Sequence, residues 1–206
     1  MEFKESSHGC PDPRAHISAE EAIKNNVKDH FKSLKDLSYT QYILDSVFDD
    51  STCEKIINSD SDSPWLINLL YKHMNEINDI AGWKYNITGH EEPQLQKYKV
   101  NNYYGWHRDG FGDHNTWKEE SIANDRLYKI GTTRKLTMTI LLNDGKDFKG
   151  GDYKTFLTQN NGSKEISFRN KGSIMVTPAF IAHKVEKITS GERITLSTFF
   201  LGPPFI

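Results

Sequence analysis

Apolar residues recur at two different intervals along this chain, and the change of interval organises it. After a polar start with two prolines (residues 1–18), the run AEEAIKNNVKDHFKSLKDL places Ile23, Val27 and Phe31 on one helical face. Ser18 stands as N-cap with Glu21 three residues later, so an amphipathic helix is predicted. Tyr39 to Phe48 alternates as a strand, and DDSTCEKIINS opens as a capped helix. Ser63 to Ile80 carries the strongest helical period. Ser-Pro begins it, and Trp65, Leu69, Leu70, His73, Ile77 and Ile80 recur at threes and fours, with His73 read as a core or boundary residue.

Beyond Ile80 the period falls to two. Trp83 to Thr88, Gln94 to Val100, Arg134 to Leu142, Gly151 to Leu157, Glu165 to Arg169, Ser173 to Thr177, His183 to Ile188 and Arg193 to Leu201 read as short strands, separated by Gly, Asn or Pro. That rhythm belongs to an antiparallel sandwich or jelly roll. The expected architecture is mainly β with supporting helices: a cupin-like double-stranded β-helix whose N-terminal α-helices pack on one sheet. The segments are 1–18 as a polar tail, 19–94 as helical and strand support, and 95–206 as the β core. The stretch from Gly110 to Thr133 is longer than an ordinary strand connection, and its glycines suit it to be a lid.

Two strands carry candidate chemistry. His107 and Asp109 lie two apart in YKVNNYYGWHRD, a spacing that turns both side chains to one face of an extended strand. His183 opens a later strand and completes a two-His, one-carboxylate set, the donors that leave half of an octahedron open on a non-haem Fe(II). Arg193 begins the last strand, where a fixed fork of donors can hold a carboxylate bidentately. With Arg193 facing inward, Thr195 faces inward too, and Thr139 and Leu141 share one face of the Arg134 to Leu142 strand. Tyr104 and Trp106 flank the HxD pair, and Arg134 stands at the mouth of the next strand. These three are candidates for meeting the substrate.

Composition narrows the function. A net charge of −2 gives no basic field for a polyanion, so nucleic acid is a poor partner and a small or peptide substrate is favoured. Cys10 and Cys53 form no disulfide framework, and no apolar run has signal-peptide or membrane-span length. A cytoplasmic setting is expected, away from any membrane.

From Leu95 onward the chain resembles the 2-oxoglutarate and Fe(II)-dependent oxygenases, in particular their prolyl 4-hydroxylase-like branch with its bacterial and phage PKHD-type members. The likeness rests on LQKYKVNNYYGWHRD, RKLTMTILLND, the FKGGDY turn, GSIMVTPAFIAHKV and TSGERITLSTFFLGPPF. It implies Fe(II) on His107, Asp109 and His183, 2-oxoglutarate chelating that iron with its distal carboxylate on Arg193, and Tyr98 as a hydroxyl donor to the cosubstrate. Dioxygen would be consumed, succinate and CO2 released, and a C–H bond hydroxylated on a peptidyl-prolyl or small-molecule substrate, with ascorbate as a candidate accessory. Some relatives carry a second tyrosine where Leu141 stands. A non-catalytic jelly-roll binding protein and a Zn(II) hydrolase using the same triad are the competing readings.

Overall fold

The computed structural model describes residues 41–110, 131–158 and 162–204. Residues 1–40, with the expected amphipathic helix, lie outside the described residues, as does most of the expected lid (111–130).

The described chain runs β1 (Tyr42–Leu44), α1 (Asp50–Ile57), α2 (Pro64–Ile80), β2 (Gly89–His90), β3 (Gln94–Tyr98), β4 (Tyr104–His107) and β5 (Thr133–Leu141). A short 3-10 turn leads into β6 (Phe148–Gly150), β7 (Tyr153–Thr158), β8 (Gly162–Ile166), β9 (Ile174–Pro178), β10 (Ala182–Val185), β11 (Ile188–Gly191) and β12 (Arg193–Gly202). The strands form two larger antiparallel sheets and a two-stranded one. The major sheet is ordered β1-β9-β5-β12-β2, with β3 also on β12; the minor one is ordered β4-β10-β7-β8, and β11 pairs with β6. This is the double-stranded β-helix that the strand rhythm predicts.

Alternation on the central strands makes the layers. Leu136, Met138 and Ile140 of β5, Ile174 and Val176 of β9, and Leu196 and Phe200 of β12 pack beneath Cys53 and Ile56 of α1 and Leu66, Leu70, Met74 and Ile77 of α2. Each fully buried aliphatic side chain here is worth about 1.5–3 kcal/mol of hydrophobic stabilisation. The residues between them, Thr137 and Thr139 on β5 and Arg193, Thr195, Ser197 and Phe199 on β12, turn to the opposite face and line a cavity. A second apolar cluster, with Leu141, Phe148, Met175 and Ile188, backs that cavity.

Local chemistry explains most element ends. The Asp49 side chain accepts from Thr52 N at 2.7 Å to cap α1, and Pro64 fits the first turn of α2. The buried face of α2 is Leu66, Leu70, His73, Met74 and Ile77, one position round from the expected stripe, and Ile80 is exposed. His73 sits at that boundary, edge-on to Phe48 at 5.2 Å.

Several expected strands change. Trp83 to Thr88 forms no ladder because Lys84 adopts a positive φ of 54°, although Trp83, Tyr85 and Ile87 still pack on the core. The Glu165 to Arg169 strand lies earlier, as β8, and His183 to Ile188 divides into β10 and β11. The described part of Tyr39 to Phe48 contributes three residues of strand, ending before Ser46 at φ 50°.

The Gly150-Gly151 turn joins the minor-sheet strand β7 to the wall behind Arg193. Gly150 has φ +74°, and a Cβ there would lie 2.1 Å from the Lys187 carbonyl oxygen. Gly150→Ala is expected to cost roughly 2–5 kcal/mol, the sum of left-handed backbone strain and local overpacking. Chemical denaturation measures this, and a loss below about 1 kcal/mol would show that the turn relaxes freely.

Candidate active site

β4 and β10 are neighbours, and their register sets His107 opposite His183. Asp109 is not on the strand with His107. β4 ends at His107, and the chain bends so that the amides of Asp109 and Gly110 both donate to the Ala179 carbonyl at 3.0 Å. The bend achieves what an extended pair would: Asp109 Oδ1 lies 3.3 Å from His107 Nε2, and Oδ2 lies 3.4 Å from His183 Nε2. One donor atom from each of the three falls within 4.8 Å of the others.

Hydrogen bonds orient all three donor groups. His107 Nδ1 donates to the Gly105 carbonyl at 2.8 Å and His183 Nδ1 to the Ile181 carbonyl at 2.9 Å. A carbonyl only accepts, so in both rings Nδ1 carries a proton and Nε2 is the nitrogen that faces the shared centre. Thr137 Oγ1 donates to Asp109 Oδ2 at 2.6 Å.

The charges are set to match. Burial alone would raise the Asp109 carboxyl, but hydrogen bonds from His107 and Thr137 and the nearby imidazoles hold it below the usual carboxylate range. It is therefore an anion at neutral pH. Burial pulls His183 below the usual histidine value against the attraction of Asp109. For His107, burial is outweighed by Asp109 and the Gly105 carbonyl, and its value is raised. A buried carboxylate and two imidazoles offering Nε2 form a facial donor set that fits Fe(II).

The same cavity, of about 340 Å3, holds a second built feature. Arg193 is 2 % exposed, its Nε has no hydrogen-bond partner, and it enters no ion pair among the described residues. Beside it along β12 the fully buried Thr195 hydroxyl is also unpartnered. Burial lowers the guanidinium to about 10, with the phenols of Tyr98 and Tyr153 among the groups nearby, so it remains charged at neutral pH. Tyr98 lies opposite Arg193 in the β3–β12 register, its ring centroid 5.6 Å from the guanidinium carbon. Leaving a buried cation and hydroxyl unsatisfied is costly, and a carboxylate entering the cavity would satisfy both. The residues present thus fit 2-oxoglutarate as well as the metal.

Nine predicted residues line this cavity: His107, Asp109, His183, Arg193, Tyr98, Thr139, Thr195, Tyr104 and Arg134. Leu141 and Trp106 do not. Leu141 is buried in the second apolar cluster behind Thr195, its strand partner. Trp106 points to the other face of β4, edge-on to Phe156 at 6.0 Å and beneath the Lys184 ammonium. Tyr104 instead leans on His107, with ring centroids 4.0 Å apart.

Other lining residues escaped the sequence. Gln94 and Gln96 precede Tyr98 at two-residue steps, and Ser197 and Phe199 continue the face of Arg193 and Thr195, so the period contained them. Tyr153 had no such signal. It stacks on His183 at 5.1 Å and 19°, and burial raises its phenol, against a hydrogen bond from Thr177.

Residues 93–201, just over half of the chain, match the sequence profile of the 2OG-Fe(II) oxygenase superfamily. The chain belongs to that superfamily. A comparison with curated protein sequences gave no match. Among solved structures, this oxygenase is similar to the viral collagen prolyl hydroxylase of Paramecium Bursaria Chlorella virus-1 in its 2OG complex (17% identity, 80% of this chain and 97% of that one, TM-score 0.58). It is also similar to a Pseudomonas putida prolyl-4-hydroxylase (14%, 82% and 96%, TM-score 0.58). A third similar structure is a Trichoplax adhaerens prolyl hydroxylase in complex with a hypoxia inducible factor peptide fragment (12%, 89% and 93%, TM-score 0.57). At these identities the likeness is one of fold. Membership makes the oxygenase a dioxygen-consuming enzyme with Fe(II) and 2-oxoglutarate as its cofactors, which the zinc-hydrolase and binding-module readings do not accommodate.

Proposed function

We propose that this oxygenase hydroxylates prolyl residues in a peptide or protein, with Fe(II) on His107, Asp109 and His183 and the distal carboxylate of 2-oxoglutarate on Arg193. The observation that carries the site assignment is the buried guanidinium with its unpartnered Nε, beside the unpartnered Thr195 hydroxyl, in the cavity that holds the triad. Fe(II) with 2-oxoglutarate and dioxygen supplies the oxidation: the keto acid becomes succinate and CO2, and a substrate C–H becomes C–OH.

The chain's own residues bind and orient. Arg193 offers paired charge-assisted hydrogen bonds to a carboxylate, with Thr195 adding a hydroxyl donor and Tyr98 a phenol from the facing strand. Thr139, Ser197 and Gln96 form a polar wall, with Ser197 3.3 Å from both Thr139 Oγ1 and Gln96 Oε1. The Nδ1 protons of both histidines stay on main-chain carbonyls, so neither ring can turn away from the centre.

A peptide substrate is favoured by the prolyl hydroxylases of the same fold, one of which holds a peptide, and by the half-exposed Tyr104 at the cavity wall, with exposed Tyr103 and Trp106 on the same segment. The test is succinate release with Fe(II), 2-oxoglutarate and ascorbate, comparing proline-containing peptides with free amino acids. Peptide-dependent succinate, with one oxygen added to a prolyl residue by mass spectrometry, is expected. Release driven only by a free amino acid or another small metabolite would overturn the peptide assignment.

A further inference from the structure

Asp109 lies beyond the end of β4, so no strand ladder fixes the main chain that carries the carboxylate donor. Its amide is held by the Ala179 carbonyl, and its own carbonyl by Arg134, whose Nη1 donates to it at 3.1 Å. The rest of that guanidinium is committed elsewhere: Nε and Nη2 form a fork onto both oxygens of Glu91, a carboxylate 1 % exposed. Glu91 is itself pinned at both main-chain groups. Its amide donates to the Phe199 carbonyl at 2.8 Å, and its carbonyl accepts from Thr198 Oγ1 at 2.8 Å. The guanidinium also lies over the Phe199 ring, 3.7 Å from its centroid. Gly110 closes the assembly, because a Cβ there would stand 3.2 Å from both Cβ and the carbonyl oxygen of Arg134.

We propose that Glu91 and Arg134 are positioning residues for the metal centre: Glu91 orients the Arg134 fork, and Arg134 fixes the Asp109 main chain so that its carboxylate meets the two Nε2 atoms. The inference rests on the triad being the metal site. It changes the role of Arg134 from a substrate contact to a brace, and it brings in Glu91, which lies outside the HxD and Arg193 segments altogether. A bidentate carboxylate–guanidinium pair fixes both direction and plane, which a lone arginine on a flexible stem would not. Outer-shell partners of this kind typically set about 10–100-fold in metal affinity.

The experiment is a Co(II) titration of the full-length protein, followed by the visible d–d absorption of the bound ion. It uses Arg134→Lys, which keeps the charge facing Glu91 but loses the fork, and Glu91→Gln, which keeps the shape but loses the charge. Both variants should bind Co(II) roughly 10–100-fold more weakly than wild type, with an altered d–d band, while circular dichroism shows them folded. If Glu91→Gln does not fold, Arg134→Lys alone decides. A lowered unfolding temperature of the metal-free protein with Co(II) affinity and band within twofold of wild type would make the pair purely structural and overturn the proposal. Absence of Co(II) binding by wild type itself would overturn the reading of the triad first, and the brace with it.

Discussion

Arg193→Ala should raise the 2-oxoglutarate concentration needed for turnover by roughly a hundred- to several-thousand-fold. Removing one partner of a buried, hydrogen-bonded charge pair costs about 3–5 kcal/mol, and the factor follows from that cost. The position supports the full penalty: the side chain is 2 % exposed, and its neighbours Thr195 and Tyr98 supply no compensating charge. Arg193→Lys should recover part of the loss, since a lysine restores a point charge but not the fork. Iron binding should hardly change, because Arg193 touches none of the triad by hydrogen bond or ion pair. The 2-oxoglutarate dependence of succinate release checks this, and an unchanged half-saturating concentration in Arg193→Ala would remove the residue from the cosubstrate site.

His107→Ala, Asp109→Ala and His183→Ala should each reduce iron-dependent turnover to background, with Asp109→Ala the most severe. It removes the anion that balances two imidazoles and leaves the Thr137 hydroxyl without its acceptor. The β-rich fold should survive in all three, since the apolar layer beneath α1 and α2 involves none of them. Iron content after dialysis and succinate release together give the readout. Wild-type succinate formation by any one variant would exclude that residue from the ligand set.

Much of this arrangement was readable from the chain because the central strands alternate strictly. Once Arg193 faces the cavity, Thr195 must follow, and on β5 the threonines at 137 and 139 must oppose the leucine, methionine and isoleucine beneath the helices. The same rule failed for Leu141. It keeps the inward parity of Thr139 but lies where the interior closes against Phe148 and Ile188, and parity does not report depth. Asp109 was paired correctly with His107 for a wrong local reason, because a bend held by the Ala179 carbonyl performs the work assigned to an extended strand.

What stayed hidden shares one property, a dependence on long-range contact. Glu91 meets Arg134 across 43 positions, and Tyr153 reaches His183 only because β7 and β10 are paired. Trp106 shows the converse. Its neighbourhood in sequence suggested a cavity residue, but the position next to His107 on β4 faces away from the cavity and meets Phe156, while the register shift between His107 and Tyr104 returns Tyr104 to the cavity side. The extended segment from Trp83 to Thr88 kept its alternating burial yet lost its strand to a single left-handed residue, Lys84, which hydrophobic periodicity does not register.

The most direct test of the central claim is an anaerobic titration of the Fe(II)-loaded protein with 2-oxoglutarate, following the weak visible charge-transfer absorption that appears when a keto acid chelates the metal. Wild type should develop that band saturably, Arg193→Ala should require a far higher concentration to reach it, and Asp109→Ala should not develop it. A wild type that binds iron but gives no band at any 2-oxoglutarate concentration would contradict the account, because the buried arginine and the triad would then not be serving one cosubstrate.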